Sequence, residues 1–172
     1  MGSVVLRPLL PEEFDVAHGI LVSAADWLTA KGVRQWTTAY PKELYRSHQA
    51  KGWNYALVSD GQLATVLTLS YEATTDWVHC VGAEPVWWLS KLATAPTHRG
   101  QGLGARAVRE ALGVLASKGA RTAYLDCVHG SGALVAFYEG LGFTTLDRRV
   151  LRFSTGAFDM VLMSSAVGSG PS

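Results

Sequence analysis

The most informative stretch of this 172-residue chain is a glycine-rich segment, Arg99-Gly100-Gln101-Gly102-Leu103-Gly104. It lies between the apolar stretch Val86–Thr94, which predicts a strand, and the amphipathic stretch Leu103–Lys118, which predicts a helix. Alternating glycines let a backbone come close to a ligand and turn several N–H groups the same way. Because the start of the following helix adds its positive dipole end, the segment predicts a site for an anionic group, above all a phosphate or pyrophosphate.

Two other phosphate-binding patterns compete for this segment. A Walker A loop needs G-x-x-x-x-G-K-[ST], and no part of the sequence matches it. The residues from Gly102 to Ala107 do satisfy the dinucleotide fingerprint G-x-G-x-x-A, and Asp126 ends a following strand. That fingerprint places its first glycine tight against the preceding strand, whereas seven residues separate Thr94 from Gly102. A nicotinamide-dependent oxidoreductase therefore stays a weaker alternative.

Composition predicts one folded domain. Hydrophobic residues make up 48% of the chain and charged residues 17%, which argues against disorder. The length suits a single buried core, and we expect one domain over residues 1–166, with a frayed Gly/Ser-rich tail at 167–172. A formal net charge of +1 gives no broad basic surface, so we expect no nucleic-acid partner.

The cysteines and the amino terminus indicate a cellular compartment. Cys80 and Cys127 have no metal-ligand spacing with one another, so we expect reduced thiols and no metal. The amino terminus has no basic region followed by an apolar stretch, as a signal peptide would. No stretch approaches the ~18 apolar residues of a membrane span. These features predict a cytoplasmic protein without a membrane partner.

Hydrophobic periodicity and turn signals predict the order β-α-α-β-β-β-α-β-α-β-β, a mixed α/β chain. The first helix carries its apolar face at Val16, Ile20, Ala24, Trp27 and Leu28. The longest predicted loop is Tyr71–Pro85. The predicted helices are Pro11–Lys31, Pro41–Gln49, Leu103–Lys118 and residues 134–141; the predicted strands are Val4–Arg7, Trp53–Ser59, Gln62–Ser70, Val86–Thr94, Thr122–Cys127, Arg149–Phe153 and Phe158–Met163.

Two blocks of the sequence resemble one known family. The stretch from Leu92 to Gly104 resembles the acyl-CoA-binding motif of the GNAT superfamily of N-acyltransferases, whose hallmark [QR]-x-x-G-x-[GA] is met by Arg99, Gly102 and Gly104. The stretch from Leu134 to Phe143 resembles the helix that carries the family's tyrosine. The two blocks stand in the family's order and at a suitable distance, and together they cover roughly the C-terminal half of the chain.

The resemblance implies a fold and an activity. It implies a central mixed, mostly antiparallel sheet of about six to seven strands, splayed between the fourth and fifth strands, with about four helices on its faces. It implies acetyl-CoA as the cofactor and direct transfer of the acetyl group to an amine. Because no acidic or basic run marks a peptide groove, we expect a small-molecule amine, a metabolite or an antibiotic-like compound. Homodimers are frequent among the proteins that the chain resembles.

The resemblance also assigns roles to residues. The N–H groups from Arg99 to Gly104 (Arg99, Gly100, Gln101, Gly102, Leu103, Gly104) would hold the pyrophosphate, and the strand edge at Leu92, Ala93 and Thr94 would pair with the pantetheine arm. Ser131 stands where the family often has an asparagine that contacts the cofactor, and a serine at this position is also able to cap the next helix. Phe137 is a further expected cofactor contact. Tyr138 is the general acid, since a phenol of pKa near ~10 keeps its proton at neutral pH. By periodicity alone Tyr138 is a core tyrosine, on the apolar face with Leu134 and Leu141.

The general base and the acceptor pocket stay open at this point. The candidate bases are Asp126, at the end of its strand, and His129, and a water-mediated route is equally open. His79 and Glu84 precede the central strand and are expected to lie farther from the reacting amine.

The acceptor pocket would come from the loop between the first two helices and from the last hairpin. The candidate residues there are Trp36, Thr37, Tyr40, Arg148 and Arg149. Trp87 and Trp88 project to opposite faces of their strand, and Trp88 is our candidate. Because no base is certain, a non-catalytic module that binds acyl-CoA or an amine is the second hypothesis.

Overall fold

The computed structural model describes residues 2–32, 41–154 and 156–168. In this part of the chain a mixed α/β fold has seven strands and five α-helices. The strands are β1 Val4–Pro8, β2 Asn54–Ser59, β3 Gln62–Glu72, β4 Val86–Thr94, β5 Thr122–Val128, β6 Thr144–Phe153 and β7 Gly156–Ala166. The helices are α1 Phe14–Ala30, α2 Lys42–Ala50, α3 Val78–Val81, α4 Leu103–Ser117 and α5 Ala133–Glu139.

The sheet has the order β1-β2-β3-β4-β5-β7-β6. The pairs β1–β2, β2–β3, β5–β7 and β6–β7 are antiparallel, whereas β4 and β5 are parallel. The parallel pair is in register only at Trp87–Ala123 and Trp88–Tyr124, although β4 continues to Thr94 and β5 to Val128. The expected fold class, including strands that part after a short parallel pairing, is confirmed.

The chain divides into two compact units. The first, called unit 1, contains Met1–Ser70 and Ser90–Ala111. Its core forms where one face of α1 packs with residues of β2, β3 and β4. The buried side chains of this core are Leu9, Phe14, Ala17, Ile20, Leu21, Ala24, Tyr45, Ala56, Val58, Val66, Ala93 and Ala95.

The buried face of α1 is rotated from the predicted one. Ile20 and Ala24 are buried as expected, but Val16 is 60% exposed and Trp27 is 40% exposed. A short 3-10 turn, Pro11–Glu13, precedes the helix. The helix then buries Phe14 and Ala17 in place of Val16, so the predicted stripe was wrong at its two ends.

The second part, called unit 2, contains Tyr71–Leu89 and Leu112–Ser172. Here β5 and β6 flank β7 in antiparallel pairing, and α5 connects β5 to β6. The predicted loop 71–85 contains the short helix α3, which the sequence pattern did not indicate. Strand β6 begins at Thr144, earlier than the predicted start at Arg149. Most of its first residues are polar and exposed, so they show no alternation of apolar and polar side chains that would have indicated a strand.

None of the helices that the structure describes is long and apolar enough to cross a membrane.

Candidate active site

The glycine-rich segment forms an open turn between β4 and α4. A 3-10 turn at Pro96–His98 leads into extended backbone at Arg99, with φ −68° and ψ 150°. Gly100 and Gly102 then have φ of 78° and 72°, in the left-handed region that other L-residues resist. A Cβ placed on either glycine would meet no atom within 4 Å. The two glycines are therefore required by the backbone conformation, and the space beside them is open.

The start of α4 presents unpaired donors beside this turn. The first bond of the helix runs from the Arg106 N–H to the Gly102 carbonyl, at 3.1 Å. The N–H groups of Leu103, Gly104 and Ala105 precede that bond and have no acceptor among the described residues. The first turn also contains no acidic side chain. Free N–H groups, a positive dipole end and the absence of a competing carboxylate together favour an anion here.

Arg99 contributes a further unsatisfied donor. Its guanidinium lies over the Trp27 ring, with Cζ 4.9 Å from the ring centroid. Its Nη2 is buried and has no hydrogen-bond partner in the described part of the chain. A buried N–H without an acceptor costs about 1–3 kcal/mol, so an anion that accepts from Nη2 would recover that cost. The residues that the resemblance assigns to a pyrophosphate thus fit such a group.

The end of β4 contains a backbone feature that the sequence did not reveal. Lys91 has φ 58° inside the strand, and Leu92 to Thr94 follow it directly. A left-handed residue interrupts the regular alternation of a strand and turns the next peptide groups, as a bulge does. Lysine is not a residue that favours this conformation, so no sequence signal marks it. Of the expected pantetheine contacts, Ala93 is buried in unit 1, and the hydroxyl of Thr94 lies 3.1 Å from that of Thr65.

Tyr138 lies near the end of α5 in unit 2. Its side chain is 6% exposed and packs edge-on against Phe137 and Phe143, with ring centroids 5.1 and 5.7 Å away. Burial raises the pKa of Tyr138 above its ordinary value, and the nearby Cys127 thiol adds to that rise. The phenol therefore keeps its proton well beyond neutral pH. Its hydroxyl has no hydrogen-bond partner among the described residues, so the proton is available to a ligand atom.

Ser131 does not cap α5. The N-cap position is Gly132, with φ 87°, and no side chain bonds to the first N–H groups of the helix. Ser131 is exposed in the turn before it. The serine therefore does not supply the cap that its side chain could form, and its contact with the cofactor stays a prediction.

Of the two candidate bases, Asp126 lies in β5, two residues before its end, and His129 follows the strand directly. The side chain of Asp126 alternates with that of Cys127, so the two point to opposite faces of β5. The Asp126 carboxylate accepts a hydrogen bond of 2.9 Å from the Trp77 indole, whose side chain is 1% exposed. His129 has its backbone N–H bonded to the Asp159 carbonyl, at 2.8 Å, and its Nδ1 lies 3.0 Å from the Gly130 carbonyl.

Trp77 is the residue of this region that the sequence analysis missed. Besides its bond to Asp126, its ring is covered by the Arg149 guanidinium, 5.1 Å from the ring centroid. Arg149 also donates to the Asp76 carbonyl. The sequence did contain one signal of a buried anchor here, namely a tryptophan within a polar predicted loop. The buried Trp77 ring contacts both an acidic side chain, Asp126, and a basic one, Arg149.

The predicted acceptor residues are described only in part. Trp36, Thr37 and Tyr40 lie outside the described residues. Trp88 donates its indole N–H to the Glu72 carbonyl at 3.1 Å and packs against Tyr124, with ring centroids 5.6 Å apart.

The other candidates lie elsewhere in unit 2. Arg148 is held by both carboxylate oxygens of Asp159, at 2.6 and 3.0 Å. Trp87 contacts Tyr71 instead, with ring centroids 5.1 Å apart. An open cleft of about 530 Å³ beside Trp87 and Tyr124 is lined also by Lys118 and Arg121. None of the residues predicted to bind the cofactor lines that cleft.

Comparisons with known proteins identify the family. The model of the acetyltransferase (GNAT) family matches residues 21–143. A relative from Bacillus subtilis (strain 168), the uncharacterised N-acetyltransferase YesJ, is 30% identical over 143 residues, 79% of each chain. The chain therefore belongs to the GNAT family of acetyltransferases, which confirms the resemblance and, with it, acetyl-CoA as the expected cofactor. The acyl-CoA interpretation of the glycine-rich segment is preferred over the dinucleotide one on this ground.

Solved structures show the same fold. The ribosomal-protein-S18-alanine N-acetyltransferase from Escherichia coli superposes with a TM-score of 0.71 at 19% identity, over 98% of this chain and 97% of that one. The Salmonella typhimurium protein yncA, solved with acetyl-CoA as its cofactor, has a TM-score of 0.71 at 13% identity, over 99% and 97%. At these identities the likeness concerns the fold.

Proposed function

We propose that the protein transfers an acetyl group from acetyl-CoA to the amine of a small molecule, by direct transfer. The observation that carries the proposal is the turn before α4. The N–H groups of Leu103 to Ala105 have no acceptor among the described residues, and the buried Nη2 of Arg99 in the same turn has no hydrogen-bond partner there either. When bound, acetyl-CoA supplies the activated acetyl thioester. Arg99 to Gly104 hold its pyrophosphate, and Leu92 to Thr94, with Ser131 and Phe137, contact the rest of it.

Tyr138 is proposed to serve the leaving sulfur. An amine that attacks the thioester carbonyl expels a thiolate, which must gain a proton. The phenol offers its hydrogen to that sulfur and keeps it until then, because its raised pKa excludes ionisation at neutral pH. The kink at Lys91 turns peptide groups next to Leu92, and an N–H at Leu92 or Ala93 would polarise the thioester carbonyl.

Direct transfer is favoured over an acyl-cysteine route. A covalent route needs a thiolate nucleophile close to the acid. Cys127, the thiol next to Tyr138, is 1% exposed, and burial raises its pKa to about 12, with the Asp126 charge as a smaller cause. It therefore stays a protonated thiol at neutral pH, and the amine itself must attack the thioester.

The amine must lose a proton before it attacks. Asp126 and His129 are the candidate bases, with a water-mediated route beside them. Asp126 is exposed and fixed by the Trp77 indole. The carboxylate oxygens of Asp126 are hydrogen-bond acceptors, so they offer a partner to an N–H group of the incoming amine even where water takes the final proton.

We propose that Trp36, Tyr40 and Trp88 contact the acceptor amine. We also propose that the protein assembles as a homodimer.

A protein amino group is the second candidate acceptor. The Escherichia coli protein of the same fold acts, by its name, on the alanine of a ribosomal protein. Against this stand the formal net charge of +1 and the lack of any charged run that would bind a peptide. A non-catalytic acyl-CoA-binding module is the remaining alternative.

Thiol release from acetyl-CoA tests the function. The protein is mixed with acetyl-CoA and either a panel of small primary amines or a panel of peptides with free amino termini. Small-amine turnover that is at least tenfold faster than peptide turnover supports the proposal. Faster turnover with peptides assigns a protein acceptor, and binding of acetyl-CoA without turnover on either panel assigns a binding module.

A further inference from the structure

Three potential metal ligands converge in unit 2, on residues to which the proposed function gives no role. They are His79 Nε2, Cys80 Sγ and Asp147 Oδ2, and these atoms all lie within 4.8 Å of one another. The histidine nitrogen lies 2.7 Å from Asp147 Oδ2, and the thiol sulfur lies 3.8 Å from the same oxygen. Two side chains of α3 thus point at one carboxylate oxygen of β6.

The short helix α3 is fixed at its beginning by a buried residue. The Trp77 carbonyl accepts the N–H groups of Cys80 and Val81 at 3.0 and 2.9 Å. The Trp77 side chain is 1% exposed and is bonded through its indole to Asp126. His79 and Cys80 follow this anchor after one residue, Val78, and lie in the helical turn that it begins, so their backbone is positioned before any ligand arrives.

The carboxylate of Asp147 is oriented from its other side. Its Oδ1 accepts the backbone N–H of Arg148 at 2.8 Å, which leaves Oδ2 directed at the histidine and the thiol. A hydrogen bond of this kind to a ligating carboxylate is a common supporting contact in metal sites. The nearby guanidinium of Arg149 lies over the Trp77 ring and donates to the Asp76 carbonyl.

We propose that His79, Cys80 and Asp147 bind one Zn²⁺ ion, with water as the fourth ligand. A set of one imidazole, one thiolate and one carboxylate suits zinc, whereas Mg²⁺ and Ca²⁺ prefer oxygen ligands only. Cys80 binds as a thiolate and releases its thiol proton, and His79 binds through Nε2 as a neutral imidazole that carries its hydrogen on Nδ1. The thiolate and carboxylate charges then balance the ion. Zinc bonds of about 2.0–2.3 Å in a tetrahedral site separate ligand atoms by roughly 3.3–3.7 Å.

The observed separations approach that geometry and need small side-chain movements. The sulfur–oxygen distance of 3.8 Å is close to the range, whereas the nitrogen–oxygen distance of 2.7 Å must lengthen by roughly half an ångström. His79 Nε2 and Cys80 Sγ lie within 4.8 Å of each other and must come closer by up to about 1 Å. The His79 and Asp147 side chains are 42% and 31% exposed, so they have room to move and the ion has a path from solvent. The bound ion would fix α3 to β6. This inference does not depend on the proposed acetyltransferase function.

Thiol labelling tests the site. In the native protein a maleimide reagent should modify the exposed Cys80 and leave the buried Cys127 untouched. Adding Zn²⁺ should slow the labelling of Cys80 at least tenfold, whereas Mg²⁺ should have no effect. In His79→Ala and Asp147→Asn the thiol should still react, but zinc protection should weaken by roughly tenfold or more. His98→Ala is the matched histidine control, and its protection should equal that of the wild type.

A spectroscopic readout covers the thiol ligand. Co²⁺ added to the wild type should give a thiolate-to-cobalt charge-transfer band at one ion per chain, and Cys80→Ser should lose it. Equal zinc protection in wild type and His79→Ala would show that the thiol alone binds the metal, and the three-ligand site would be overturned. Absence of both protection and the cobalt band in the wild type would leave only an ion pair between His79 and Asp147, which also overturns it.

Discussion

At the scale of single residues, the acid and its surroundings are the clearest case. Periodicity predicts a core tyrosine at 138 and the family resemblance predicts an acid, and both descriptions suit the same side chain. Its ring is buried between Phe137 and Phe143, while its hydroxyl has no protein partner in the described part of the chain. A hydroxyl that bonds to no protein group stays available to a ligand, which is a reason to assign its hydrogen to the leaving sulfur.

Tyr138→Phe should lower kcat by about a hundredfold or more, since it removes only the proton donor. The affinity for acetyl-CoA and the free energy of unfolding should change little, because the ring and its packing remain. Steady-state thiol-release kinetics with equilibrium binding of acetyl-CoA measure both. Tyr55→Phe, at another buried tyrosine, is the control and should keep the wild-type kcat. An unchanged kcat in Tyr138→Phe would remove the acid role.

Trp77 is predicted to matter more for stability than an exposed tryptophan. Trp77→Phe removes the indole N–H that Asp126 accepts and leaves a void at a side chain that is 1% exposed. The loss should be about 2 kcal/mol in the free energy of unfolding. Trp27→Phe, at a side chain that is 40% exposed, should stay within about 0.5 kcal/mol. Denaturant unfolding of both variants gives the comparison, and equal losses would contradict the anchoring role.

At the scale of elements, the sequence predicted what depends on local pattern. The bounds of β4 were predicted as observed, because a run of apolar residues ended by Pro96 is a strong strand signal. The start of α4 was likewise predicted, since glycines and a periodic apolar face mark it. In contrast, α3 and the first half of β6 were missed. Both consist of exposed or polar residues whose structure depends on contacts with distant parts of unit 2.

The residues of the site also divide into those that a local sequence pattern predicts and those that long-range contacts bring together. The glycine-rich turn is a local pattern and could be predicted, whereas the Trp77–Asp126 and His79–Asp147 contacts join residues 49 and 68 positions apart. Cys80 and Cys127 do not have the spacing of a metal-binding cysteine pair. The potential metal ligands near Cys80 are instead the neighbouring His79 and the distant carboxylate of Asp147. The left-handed conformation of Lys91 had no signal at all.

Two glycines associated with α4 are predicted to respond oppositely to the same substitution. Gly102→Ala should lower the free energy of unfolding by roughly 1–2 kcal/mol, because φ 72° strains any residue with a Cβ. It should also weaken acetyl-CoA binding by distorting the turn. Gly113→Ala, inside the helix at a position where a Cβ meets nothing within 4 Å, should stabilise by roughly 0.5–1 kcal/mol.

Chemical denaturation and calorimetric titration with acetyl-CoA measure this pair. Gly113→Ala should bind acetyl-CoA as the wild type does, since it adds only a methyl group on an exposed face. If Gly102→Ala kept both its stability and its affinity, the glycine would not be needed for the turn or for the ligand.

At the scale of the whole molecule, buried protonated groups set the response to alkaline pH. Burial raises the pKa of Cys127 from 9.0 to about 12, and burial also raises the pKa of Tyr45 and of Tyr138. The unfolded chain then loses protons that the native chain keeps, so these three groups lower the free energy of unfolding as pH rises above about 9. For Cys127 alone the fall is at most about 1.4 kcal/mol per pH unit.

Urea unfolding between pH 7 and pH 11 measures that dependence. Cys127→Ala should reduce the fall in the free energy of unfolding between pH 9 and pH 10. In the unfolded chain the thiol, with an ordinary pKa of 9.0, loses its proton before the phenols of Tyr45 and Tyr138, with an ordinary pKa of 10.0. The free energy of unfolding of the variant at pH 7 should be lower than that of the wild type. Identical slopes in the variant and the wild type would show that the thiol does not contribute.

The most direct test of the central claim is thermal unfolding of the wild-type protein with acetyl-CoA, with NADH at the same concentration, and with neither. A ligand present at 100 times its dissociation constant adds about 2.7 kcal/mol to the native state, which gives a readily measured rise in Tm. A rise with acetyl-CoA and none with NADH is the predicted result. A rise with NADH alone, or no rise with acetyl-CoA at saturating concentration, would contradict the assignment of the glycine-rich turn to acetyl-CoA.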